Sequence, residues 1–310
     1  MKETRYRRVE EKLHESAGLA VEERWIDLPR VGTRARALLA GEGTPTLFLT
    51  GGPDGGGSSW SYGAARLDGI RSVLLDRPGT GLSAPPREVL TAETLPSYVA
   101  DLTVDVLDAL EIERAVLVGC SFGGYSALRS AIAYPDRVTG VYLAGCPAFV
   151  PGWAAPGFFT LLRTPVLGKA FLRLPANRSG ARLSLRLLGH QRGLTAKRLP
   201  SELIDWVTAW QRDTDTMRHD AAMIRAAGSW LGGFEKRLDL TAEDLAAVHA
   251  PTHVLVGTDD VVGREHVANE LARLLGDATV EVWQDAGHLP WYDQPEEFAK
   301  SVMRFVSSVG

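Results

Sequence analysis

Short apolar runs bounded by Gly, Pro and Asp alternate along the chain with longer stretches of helical spacing, the pattern of parallel strands joined by crossover helices. Six runs, at residues 46–49, 72–75, 115–118, 138–144, 252–256 and 279–283, read as strands buried on both faces. Residues 21–28 and 33–39 do alternate, which suits a half-exposed antiparallel pair at the edge of the same sheet. Helices are predicted near 95–110, 122–133, 264–275 and 295–306. The expectation is an α/β chain with a mostly parallel eight-stranded sheet covered by helices on both faces.

Between residues 149 and 235 the strand signal disappears, and Leu, Arg and Ala recur at helical spacing between Pro and Gly breaks. This segment is predicted to be a helical insertion, with residues 1–148 and 236–310 forming the core. It carries twelve Lys and Arg against six Asp and Glu, a balance of +6, so with a net charge of -4 the rest of the chain carries -10. Nine of those basic residues lie between Arg163 and Arg198 with no acidic one among them, and Arg178, Arg182 and Arg186 share one helical face. Such a face either docks against the acidic core or draws in an anionic substrate or carrier.

At 310 residues the chain can bury a large core, and 45% hydrophobic with 23% charged residues excludes a disordered or collagen-like chain. The acidic balance argues against nucleic-acid binding. Two cysteines, Cys120 and Cys146, exclude a disulfide scaffold and a zinc site built on paired cysteines, and fit a reducing compartment; the expected location is the cytoplasm. The N-terminal MKETRYRRVEEKLHE has charge but no apolar run behind it, and no stretch reaches the length of a membrane span, so no membrane contact is expected.

Chemistry concentrates in a few short motifs. In AVLVGCSFGGYSAL an apolar strand runs through Gly119, Cys120, Ser121, Phe122 and Gly123 into a helical pattern. A tight strand-to-helix turn leaves no room for side chains beside the serine, so both flanks must be glycine while the hydroxyl projects from the sheet edge. HVLVGTDDVV puts Asp259 and Asp260 at the end of a later strand, and DAGHLPWYDQPEEF puts His288 in a loop after the last one. A serine hydroxyl needs a base within reach and a third group to orient that base.

With these motifs in the order Ser, Asp, His, the chain resembles the α/β-hydrolase superfamily over essentially its whole length beyond the first fifteen or so residues. The resemblance implies an α/β-hydrolase fold in which the insertion is a cap closing over the serine, and a triad of Ser121, His288 and Asp260. The family's G-x-x-D spacing from Gly257 selects Asp260 over Asp259. It also implies an oxyanion hole from the backbone N–H groups of Gly52 and Phe122, in a loop where Thr50 stands for the usual bracing histidine. The stretch from Asp76 through Gly79 and Gly81 to Ser83 matches a structural loop of the family.

The expected activity is a serine hydrolase that cleaves a carboxylic ester through an acyl-enzyme, with no cofactor and no metal, acting on a small-molecule substrate, an apolar ester with a fairly bulky acyl or alcohol part. Trp60, Phe149, Trp153, Trp206 and Trp210 are candidates for an apolar pocket, with Phe158, Phe159 and Trp230 as further aromatics of the insertion; packing is the competing role for each. GGPDGGG also resembles the loop of proline iminopeptidases, and cofactorless lyases, methylesterases and non-catalytic binding proteins share the motifs, so these activities stay open. Oligomeric state is not legible.

Overall fold

The computed structural model describes residues 2–229 and 231–310; Trp230, one of the insertion aromatics, lies outside them. Eight strands form one sheet: β1 (Glu22–Leu28), β2 (Thr33–Ala40), β3 (Thr44–Leu49), β4 (Ile70–Asp76), β5 (Ala115–Gly119), β6 (Val138–Ala144), β7 (Thr252–Gly257) and β8 (Ala278–Trp283). Their order across the sheet is β1-β2-β4-β3-β5-β6-β7-β8. β1 pairs antiparallel with β2 and β2 with β4, and every other neighbour is parallel. Each strand predicted from the apolar pattern is present, with ends shifted by no more than two residues.

Successive side chains on the central strands enter opposite cores. Leu47 and Leu49 of β3 join one apolar cluster and Phe48 the other, and in β5 Leu117 faces away from Val116 and Val118. The first cluster is closed by α2 (Leu95–Ala109), α3 (Phe122–Ala133) and α10 (Glu265–Leu275). The second is closed by α1 (Lys2–Ala17) and α11 (Pro295–Val309). Between β6 and β7 no strand among the described residues joins the main sheet. That stretch holds α4 (Gly157–Arg163), α5 (Pro165–Phe171), α6 (Arg178–Leu187), α7 (Gln191–Thr195), α8 (Ser201–Asp213) and α9 (Thr216–Ala226), with a two-residue strand pair at Gly228–Ser229 and Gly233–Phe234.

The N-terminal helix α1 is the element that the pattern does not announce, because its inward stripe is half polar: Tyr6, Glu10, Leu13 and His14. Arg36 of β2 meets Glu10 at 2.7 Å, Glu23 at 2.6 Å and Asp76 at 3.3 Å, all but Glu23 almost fully buried. Ser58 and Tyr6 donate hydrogen bonds to Glu10 at 2.6 and 3.0 Å, and Trp206 of α8 donates to the Tyr6 hydroxyl at 3.3 Å. Arg5 also pairs with Asp213 at the end of α8. One buried charge cluster therefore ties the N-terminal helix, the sheet and the inserted helices together.

Removing one partner of a buried ion pair leaves an uncompensated charge, at a cost of about 3–5 kcal/mol. Arg36→Met strands Glu10 and Asp76 in the core, so denaturant unfolding is expected to show a loss of that size. A loss below about 1 kcal/mol would mean that the cluster contributes little to holding α1 in place.

Candidate active site

Ser121 sits between the end of β5 and the first turn of α3 with φ of 54° and ψ of -118°, a conformation that non-glycine residues rarely adopt. Holding it there costs about 1–3 kcal/mol, and the neighbours explain why it is held. A Cβ on Gly119 would lie 2.4 Å from the Gly123 carbonyl oxygen, and one on Gly123 would lie 2.0 Å from that of Leu49. Neither glycine has a substitute. The backbone of Cys120 donates to Leu49 at 3.2 Å and that of Ala148 to the Ser121 carbonyl at 3.0 Å, pinning the turn from both sides.

The acid and the histidine meet as expected. His288 Nδ1 lies 2.9 and 3.0 Å from the two carboxylate oxygens of Asp260, and both side chains are buried. Asp260 also accepts from the backbone N–H groups of Cys146 at 3.0 Å and Val262 at 2.8 Å, which fixes its orientation. Since a carboxylate only accepts, Nδ1 carries the imidazole proton and Nε2 is the basic nitrogen. Asp259 faces the other way, partly exposed, and pairs with Arg192 at 3.1 Å. No hydrogen bond among the described residues joins Ser121 Oγ to His288 Nε2; the thiol of Cys120 stands 3.9 Å from that nitrogen. Burial pushes the Cys120 thiol well above its usual range, so it stays neutral.

The His288 loop is gripped by the insertion. His288 N–H donates to Leu188 at 2.9 Å, and Leu289 N–H donates to His190 Nε2 at 3.3 Å. That bond leaves His190 Nδ1 to donate to Asp293 at 2.7 Å, while Asp293 accepts from Gly287 N–H at 2.9 Å. His190 thus supports the loop, a role that nothing around it in the sequence signals.

On the opposite side of Ser121, neither Gly52 N–H nor Phe122 N–H is engaged in a hydrogen bond with a described residue, so both donors are free. Thr50, in the place of the usual histidine, makes no side-chain hydrogen bond. The bracing comes from Arg77, which donates through Nε to the Gly51 carbonyl at 3.3 Å and pairs with buried Asp220 of α9. A Cβ on Gly52 would lie 2.9 Å from the Arg77 guanidinium. Asp220 has no sequence motif to reveal it, because 143 positions separate it from Arg77.

The aromatic residues expected to line a pocket serve as packing instead. Trp60 is fully buried, stacked 3.8 Å from Trp291. Phe149 and half-buried Trp153 pack against each other, and Phe149 also contacts Tyr125 and Phe234. Trp206 and Trp210 press on Gly55, where a Cβ would fall within 2.7 Å of either ring. The cavity next to the oxyanion loop is lined instead by Thr50, Arg77, Tyr98, Phe122, His219 and Met223, among others, and measures about 40 Å³. That is room for a few water-sized groups and well short of the roughly 150 Å³ that admits a benzene ring.

Comparison with known proteins agrees with this architecture. The sequence profile of the Alpha/beta hydrolase family matches residues 46–301. A 2-hydroxy-6-oxo-6-phenylhexa-2,4-dienoate hydrolase of Comamonas testosteroni is 30% identical over 279 residues, 86% of this chain and 89% of that one. A 2-hydroxy-6-oxononadienedioate/2-hydroxy-6-oxononatrienedioate hydrolase of Paraburkholderia phymatum is 28% identical over 93% of this chain and 96% of its own length. Among solved structures, carboxylesterase CesB (YbfK) from Bacillus subtilis superposes with a TM-score of 0.73 at 18% identity, covering 99% of both chains.

Burial raises the carboxyl of Asp54, in the loop after β3, to about 7. The folded state therefore disfavours its charged form. That penalty is fully present above about pH 7 and disappears as pH falls through 7 toward the ordinary carboxylate range. Asp54→Asn keeps an acceptor for Gly55 N–H, now 2.6 Å away. It is expected to raise the melting temperature at about pH 8, with a smaller gain at about pH 5. An equal gain at both would contradict a carboxyl that titrates near neutrality.

Proposed function

The chain belongs to the alpha/beta hydrolase family, and from that premise we propose that it is a serine hydrolase cleaving carboxylic esters through an acyl-enzyme on Ser121. The observation that carries this reading is the strained serine flanked by two unspent backbone donors. Ser121 Oγ attacks the ester carbonyl while its proton passes to His288 Nε2, and the oxygen that becomes negative accepts from Gly52 N–H and Phe122 N–H. The C–O bond then breaks, and the departing alkoxide takes the proton from His288. Water repeats the sequence on the acyl-enzyme and releases the acid.

Asp260 orients His288 and stabilises its charged form without taking the proton. Ser121 and His288 come within bonding reach as substrate binds, since such hydrogen bonds are often open in the free enzyme. The inserted helices act as a cap, supplying Asp220 to the oxyanion side and His190 to the histidine side.

A second reading is hydrolysis of a carbon–carbon bond in a 2-hydroxy-6-oxodienoate, favoured by the names of the relatives from Comamonas testosteroni and Paraburkholderia phymatum. Loss of absorbance of the phenyl dienoate, measured beside release of 4-nitrophenol from short esters, separates the two.

A fluorophosphonate probe is expected to label the protein one to one, and Ser121→Ala to abolish labelling. Asp260→Asn should lower kcat by about three to four orders of magnitude, with Asp259→Asn costing far less. Labelling that survives Ser121→Ala would refute the nucleophile; the reverse ranking of the two aspartates would refute the assigned acid.

A further inference from the structure

The outer surface of the insertion departs from an ordinary protein surface. Val166, Leu167, Phe171, Leu174, Leu183 and Leu187 are exposed by 77, 60, 39, 66, 53 and 50%, all within residues 166–187. Isolated exposed leucines are unremarkable, but six large apolar side chains exposed within twenty-two residues of one basic segment are a departure that an interaction surface would explain. Gly168 turns α5 inward, its Cβ position 2.8 Å from the Leu162 carbonyl oxygen, so Val166, Leu167 and Phe171 face out. On α6, Ala181 and Leu185 are buried, whereas Leu183 and Leu187 project one turn apart, each directly preceded by an arginine, Arg182 and Arg186.

Every charged side chain along residues 163–198 is basic. Arg178 pairs with Asp205 and Arg192 with Asp259 and Asp285. Among the described residues, Lys169, Arg173, Arg182 and Arg186 have no acidic partner within 4.0 Å. The basic segment is therefore not docked against the acidic core at these four positions.

We propose that this face of the insertion binds the surface of an anionic lipid bilayer. Apolar side chains that project between unpaired cations meet an interface where headgroups are negative and acyl chains lie just beneath. A second copy of the chain is disfavoured, because like-charged faces would meet. The helices have 7 and 10 residues, about 10 and 15 Å long, against an apolar layer of about 30 Å, so contact is with the interface and not across it. The +6 insertion set against the -10 remainder orients the molecule insertion-first toward a negative surface. The absence of membrane contact expected from the sequence rested on spanning segments alone, and a peripheral face leaves no such signal. This inference does not depend on the reaction proposed above.

The test is co-sedimentation of the full chain with vesicles of equal phosphatidylglycerol and phosphatidylcholine, and with vesicles of phosphatidylcholine alone, at low and high salt. Binding is expected to the mixed vesicles at low salt, weakened by salt and absent with phosphatidylcholine alone. Arg182→Gln and Arg186→Gln should each lower partitioning about fivefold. Leu183→Ser with Leu187→Ser should lower it by about tenfold or more, with unchanged circular dichroism. No binding to the mixed vesicles overturns the proposal. So does undiminished binding of the leucine variant, which would point to an acidic macromolecule held by charge alone. A dimer in light scattering that the leucine variant loses would assign the face to a second copy and overturn it equally.

Discussion

The turn at Ser121 is the constraint around which the rest of the site is arranged. The serine with positive φ sits in a turn that admits no side chain on either flank: the Leu49 carbonyl of β3 excludes one at residue 123, and the Gly123 carbonyl excludes one at residue 119. The strain is sustained by packing around it and aims the hydroxyl away from the sheet, beside the N-terminus of α3. Gly51 belongs to the same arrangement, its Cβ position only 3.1 Å from Ser121 Cβ. Parallel pairing of β3 with β5, Leu49 opposite Gly119, brings the donor loop and the serine to one edge.

The insertion completes this edge from both sides. It reaches the Gly51–Gly52 loop through Asp220 and Arg77, and the His288 loop through His190 and the Leu188 carbonyl. The N-terminal helix then holds the insertion through Trp206 and Asp213. Thr50 is compatible with an ordered loop because Arg77 carries the bracing.

The central strands were legible because burial on both faces imposes a run of apolar residues whatever the rest of the chain does, the edge strands β1 and β8 are partly exposed, and the glycines at 119 and 123 were legible because a backbone clash is local. Asp260 could be separated from Asp259 in the sequence only by family spacing; the structure supplies a physical reason, two backbone amides for one and an exposed arginine for the other. Partners fixed by tertiary contact were not legible. Nothing near Asp220 or His190 distinguishes them from surface residues, and α1 hides its inward stripe behind Glu10 and His14, whose burial makes sense only once Arg36 is opposite. The tryptophans misled for a related reason: a large ring fills a core as readily as it lines a pocket, and Gly55 gives Trp206 and Trp210 a place to pack.

The central claim is that Ser121 carries the acyl group during turnover. Intact-mass analysis of the protein, acid-quenched during hydrolysis of a slowly deacylated 4-nitrophenyl ester, addresses it most directly. The account predicts a transient species heavier by one acyl group, with peptide mapping placing that group on Ser121. Turnover at full rate with no acylated species accumulating ahead of steady state, or an acyl group mapped to Cys120 or another residue, would contradict it.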